Sequence, residues 1–124
     1  YGIDDSTLWD RSTNLLAWKL YLGELPSGAE LTSFAAPGRE ENLTGLPDAF
    51  IMVGDLDLFV DENIAYAQRL LQAGVATELH VYPGAIHGFD ILAPQSEVAR
   101  KGNLAVKNAL RKALFEKNRP ETAG

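Results

Sequence analysis

The chain has 124 residues, 46% hydrophobic and 23% charged, and its 17 acidic against 11 basic side chains leave a formal charge of −6. That size and balance predict one ordinary globular domain and exclude a disordered chain. The negative charge argues against nucleic acid or an anionic membrane as partner. The lack of cysteine removes any disulfide, thiolate nucleophile or Cys-based zinc site, and no apolar run reaches the roughly 18 residues of a bilayer span.

At the N-terminus, Tyr1 to Asp5 has the features of neither a signal nor a transit peptide. Without an initiating Met, the chain is expected to be a piece of something longer. The first predicted element begins after Asp10. Ser12 or Thr13 is placed to cap a helix carrying Leu15, Leu16, Trp18, Leu20, Tyr21 and Leu22, with Gly23 ending it. Its apolar residues lie all round the axis, which predicts burial on more than one side. Residues 23–47 hold Pro26, Pro37 and Pro47 among four glycines and read as a long loop with one helical turn at most. Loops of that length usually serve a site or wrap another element.

Ala49 to Val53 is a continuous apolar run ended by Gly54, the pattern of a strand buried on both faces. Asp61 and Glu62 open a helix with Ile64, Ala67, Leu70 and Leu71 at helical spacing, and Gly74 stops it. Thr77 to Tyr82 alternates polar and apolar residues up to Pro83-Gly84, which predicts a second strand. Ser96 is placed to cap a long helix that carries Val98, Ala105, Val106, Ala109, Leu110, Ala113 and Leu114. Gly102 weakens that helix by about 1 kcal/mol relative to Ala. Arg119 to Gly124 reads as a polar, frayed tail.

Strand, helix, strand, helix is the order of an α/β fold in which the two strands run parallel through a right-handed crossover. Ligands of such sheets bind outside the carboxyl ends of the strands, which directs attention to residues 54–62 and 83–90. Asp57 and His87 then lie on adjacent loops. A carboxylate that accepts from one imidazole nitrogen fixes the tautomer, so that the other nitrogen can take a proton from a nucleophile. The competing reading of Asp57 is a turn or cap residue. Asp61 and Glu62 are explained as first-turn charges, and His80 as an ordinary strand residue. Asp55, Asp57 and Asp61 do not make a calcium loop, because the Gly and Glu that such a loop needs at its sixth and twelfth positions are missing. Gly84 and Gly88 around His87 suggest a backbone that must approach something closely.

Gly-Asp-Leu-Asp-Leu-Phe-Val-Asp-Glu at 54–62, Ala-Gly-Val at 73–75 and Glu-Leu-His-Val-Tyr-Pro-Gly-Ala-Ile-His-Gly-Phe at 78–89 together resemble the C-terminal part of an α/β-hydrolase. The hormone-sensitive-lipase-like bacterial esterases are the branch in question, and the resemblance runs over nearly the whole chain. It implies the C-terminal portion of that fold, with an incomplete parallel sheet. Residues 1–45 match the lid insertion and the loop leading to the core, 46–118 the strand–helix–strand–helix end of the core, and 119–124 the tail. Carried over by position, Asp57 matches the triad acid and His87 the triad base, while Leu58, Ile86 and Phe89 stand where substrate would be met. Leu58 departs from the pattern, since many members have Pro there. No metal or cofactor is implied. The expected partner of the intact parent is a small ester, and the expected compartment is the bacterial cytoplasm.

The family's nucleophile is a serine in a Gly-x-Ser-x-Gly elbow that precedes the Asp and the His. Ser6, Ser12, Ser27, Ser33 and Ser96 all lack that setting, no His-Gly-Gly-Gly segment is present, and only 56 residues precede Asp57. The chain is therefore expected to be about the last third of an ester hydrolase and inactive alone. The alternatives are a truncated, non-catalytic association module, and another enzyme of the fold such as a peptidase or dehalogenase. A lone pair of parallel strands exposes its edges, so self-association through residues 77–82 or by exchange of helices is also expected.

Overall fold

A computed structural model describes residues 9–24 and 30–116. The described residues fall into two compact units that divide between His87 and Gly88. In the first unit the apolar run forms strand β1, Ala49–Gly54, and the alternating run forms β2, Thr77–Tyr82. They pair in parallel from Ala49↔Thr77 to Gly54↔Tyr82. Only Val53 and Gly54 of β1 are buried and the rest is half-buried. The expectation of a strand covered on both faces is thus met only at its C-terminal end, because a sheet of two strands cannot shield the whole run.

The connection between the strands is helix α2, Val60–Gln72, with Asp61 and Glu62 in its first turn. Gly74 takes a left-handed φ of 79°, and the chain turns back so that Val75 donates to the Leu70 carbonyl at 3.0 Å. This C-terminal turn brings Val75 against Leu70 and Leu43, and the three form the buried core, with Ala49, Ile51, Tyr66 and Ala73 packed around them. Arg69 on α2 ties down the preceding loop, since its guanidinium donates to the carbonyls of Gly38 and Glu40. That loop contains a 3₁₀ turn at Pro37–Arg39.

Helix α1 spans Arg11–Leu22 and ends at Gly23. Its cap is neither Ser12 nor Thr13 but Asp10, whose Oδ1 accepts from the Thr13 N–H at 2.7 Å and from the Ser12 hydroxyl at 2.8 Å. The helix therefore starts from a side chain two residues before Ser12 and three before Thr13, whose carboxylate reaches the N–H three residues on. Those bonds hold the Asp10 carboxyl below the usual carboxylate range, chiefly the one from the Thr13 backbone. The expected burial on several sides is not found: no residue of α1 is buried, and Leu20 is 75% exposed. Asn14, Ala17, Trp18 and Tyr21 line one side of a groove shared with other described residues. Apolar residues on every side call for neighbours on every side, and the described residues supply them on one.

In the second unit, a short helix α3 covers Phe89–Leu92 and packs against α4, Glu97–Arg111. Ser96 caps α4 as expected, accepting from Ala99 N–H at 3.2 Å. Lys101 pairs with Glu97 at 2.7 Å and thereby lowers the Glu97 pKa. A π-helical turn follows at Lys112–Glu116. The proposed tail, 119–124, lies outside the described residues.

Candidate active site at the strand ends

Parallel strands deliver their carboxyl ends to one edge, and the two loops leaving that edge are laced together. The ladder runs on past the strands: Asp55 N–H donates to Tyr82 C=O at 3.1 Å and Leu56 N–H to Ala85 C=O at 3.1 Å. Gly54 makes this approach possible, because a Cβ there would stand 2.0 Å from the Ala85 carbonyl oxygen. The close approach therefore falls at Gly54 and not at the glycines around His87. Gly84 and Gly88 are required for another reason, left-handed φ values of 71° and 69°.

Asp57 sits in the tight turn after β1. Its N–H donates to Gly54 C=O at 3.2 Å, and its own C=O accepts from Val60 N–H at 3.2 Å. Its Oδ1 accepts from the Phe59 N–H at 2.9 Å, a side-chain turn two residues long. The turn reading of Asp57 and the functional one are thus both realised, one by each oxygen. The second oxygen, Oδ2, lies 2.9 Å from His87 Nδ1. Asp57 is 7% exposed and is the one buried charged side chain among the described residues. A carboxylate so placed needs both oxygens served.

The imidazole of His87 is 40% exposed. An ionised carboxylate only accepts, so Nδ1 carries the shared proton and Nε2 is left with its lone pair. Nε2 has no hydrogen-bond partner among the described residues. Two aromatic rings flank the imidazole: Phe59 edge-on at 5.6 Å and Trp9 tilted at 5.9 Å. Such an arrangement can accept a proton at Nε2 and hold the resulting imidazolium against a buried negative charge. Phe59 also lines a groove of about 670 Å³ bounded by α1, the loop at residues 35–39 and α2, to which Trp18, Tyr21 and Tyr66 contribute further aromatic rings.

Of the residues singled out from sequence, Asp57 and His87 meet. Leu58 and Ile86 adjoin them in the chain and are half-buried, while Phe89 is buried at the start of α3 in the second unit. His80, on β2, bonds Glu78 through Nε2 at 2.6 Å. Trp9, Phe59 and Gly54 were not singled out for the site, and Asp55 was weighed only as a calcium ligand. Phe59 had a signal available, its place two residues beyond Asp57. Trp9, far away in sequence, had none. No three His, Asp or Glu side chains among the described residues are grouped to hold a metal ion. No helix among them is long and apolar enough to cross a membrane.

A sequence profile of the α/β-hydrolase fold matches residues 1–91. The chain is 31% identical to esterase LipI of Mycobacterium tuberculosis over 85% of its own length and 39% of that protein's. With carboxylesterase NlhH of the same species it is 34% identical, over 86% of this chain and 35% of the relative. Among solved structures, a bacterial heroin esterase superposes with a TM-score of 0.81 at 43% identity, covering 86% of this chain and 34% of the other. The chain thus spans little more than a third of the length of these relatives.

Proposed function

The chain belongs to the α/β-hydrolase fold family, and from that premise we propose that it is the acid–base end of a carboxylic ester hydrolase. His87 is the general base, Asp57 the carboxylate that orients it, and the serine and oxyanion donors come from sequence outside these 124 residues. The observation that carries this reading is the 2.9 Å bond between the buried Asp57 and Nδ1 of His87. It is supported by relatives named as esterases and carboxylesterases.

The chemistry follows from the geometry. As the serine oxygen attacks the ester carbonyl, Nε2 of His87 takes its proton, and Asp57 stabilises the imidazolium through Nδ1–H. The same proton passes from Nε2 to the departing alkoxide, and water repeats the sequence on the acyl-enzyme. Each oxyanion-hole donor contributes about 10²- to 10³-fold. Leu58, Ile86 and Phe89 are proposed to meet the ester, and residues 1–45 to form part of the lid. For the parent we propose the bacterial cytoplasm, and for this chain self-association along the Thr77–Tyr82 edge or by exchange of helices.

The test is a chimera in which this chain replaces the corresponding last third of the M. tuberculosis carboxylesterase. The chimera is expected to hydrolyse p-nitrophenyl butyrate, whereas the chain alone releases no p-nitrophenol. Asp57→Asn is expected to lower kcat by about 10⁴-fold, the loss found when a serine protease's triad carboxylate is replaced. An active chimera in which His87→Ala leaves kcat unchanged would overturn the proposal.

A further inference from the structure

We propose that Asp55 is a positioning residue that holds the loop of His87 in register with Asp57. The proposal rests on the reading of Asp57 and His87 as the acid–base pair. After β2 the chain turns through Tyr82-Pro83-Gly84-Ala85, closed by Ala85 N–H donating to Tyr82 C=O at 3.3 Å. Proline in the second place and a φ of 71° at Gly84 in the third make this a type II turn. Such a turn bonds its first carbonyl to its fourth N–H and gives the third N–H no partner. Here that N–H, of Gly84, donates to Asp55 Oδ1 at 2.7 Å.

Asp55 thereby grips the turn at two points. Its backbone N–H holds Tyr82 C=O at 3.1 Å and its carboxylate holds Gly84. Leu56 N–H holds Ala85 C=O, two residues before His87. These bonds leave few soft torsions between the clamped backbone and the imidazole, and a base displaced by about 1 Å loses roughly 100-fold in rate. The task of Asp55 is distinct from that of Asp57, since one carboxylate fixes the loop and the other the ring. An acceptor is required at position 55, and a charge is not.

The 124-residue chain carries the test without an ester. With ¹⁵N-labelled histidine, the Nδ1–H of His87 is expected as a downfield, slowly exchanging proton. Asp55→Ala is expected to speed its exchange about tenfold and to mix the two tautomers, measured well below the melting temperature. Asp55→Asn, whose amide oxygen still accepts, is expected to retain the signal, which a purely charge-based or global effect on stability would not produce. A signal unchanged in Asp55→Ala but lost in Asp57→Ala, which leaves the Nδ1–H no side-chain oxygen to meet, overturns the proposal and leaves the acid–base pair standing. A signal that survives Asp57→Ala overturns the pair itself. Amide exchange in the unaltered chain decides the matter even where Asp55→Ala does not fold: protection of the exposed Gly84 N–H is expected, and exchange at the unprotected rate overturns the proposal.

Discussion

The two loops at the strand ends and helix α1 are opposite solutions to the same problem of order. The loops hold themselves: Asp55, Leu56 and Asp57 each bond across to the chain between Tyr82 and His87, and the one buried charge of the described residues lies among them. Helix α1 is well capped at both ends by Asp10 and Gly23, yet Leu15, Leu16, Leu20 and Tyr21 stay mostly in solvent. The difference teaches that a chemical site can be assembled from local turns and a single strand pair, whereas caps alone define the ends of a helix without burying its apolar side chains.

Four substitutions break or sharpen that contrast. The largest effect is expected at the core beneath the loops. Leu70 is almost wholly buried, and Leu70→Ala should cost about 2–5 kcal/mol in denaturant unfolding. Next comes Gly54→Ala, which sets a methyl group against backbone that has no rotamer to yield. A loss of about 1–3 kcal/mol is expected, together with loss of the downfield His87 proton. On α1 the contrast inverts. Leu20→Ser, at a position 75% exposed, should change stability by less than about 0.5 kcal/mol, and a larger loss would show α1 covered by another copy of the chain. The smallest effect belongs to acid. Because hydrogen bonds depress the folded-state pKa of Asp10, its cap supports α1 above the unfolded carboxyl pKa and is lost as pH falls through the depressed value. Far-UV circular dichroism should show helix lost in strongly acid solution, and Asp10→Ala should abolish that part of the acid transition.

The fold's elements were legible wherever local pattern decides them. Both strands, the first-turn acids of α2 and the Ser96 cap all stand where apolar period and capping chemistry put them. The Asp57–His87 pairing was legible too, because parallel strands must bring their exits to one edge. Three things were not. Asp10, Ser12 and Thr13 are all competent caps, and only the point at which the helix starts chooses among them. The exposure of α1 depends on what packs against it, a non-local fact. The closeness of Gly54 to Ala85 spans the whole of α2, and no pattern around a glycine that ends a strand distinguishes a simple stop from a collision avoided.

That missing side chain has a genetic corollary. Every missense change of a single base in a glycine codon adds at least a Cβ, so position 54 has no neighbouring codon that spares the Ala85 carbonyl. In a saturation library selected for folding, this site should be among the least tolerant of the described glycines. Gly38, by contrast, where an added Cβ meets nothing and the backbone is not left-handed, should accept most of the alphabet.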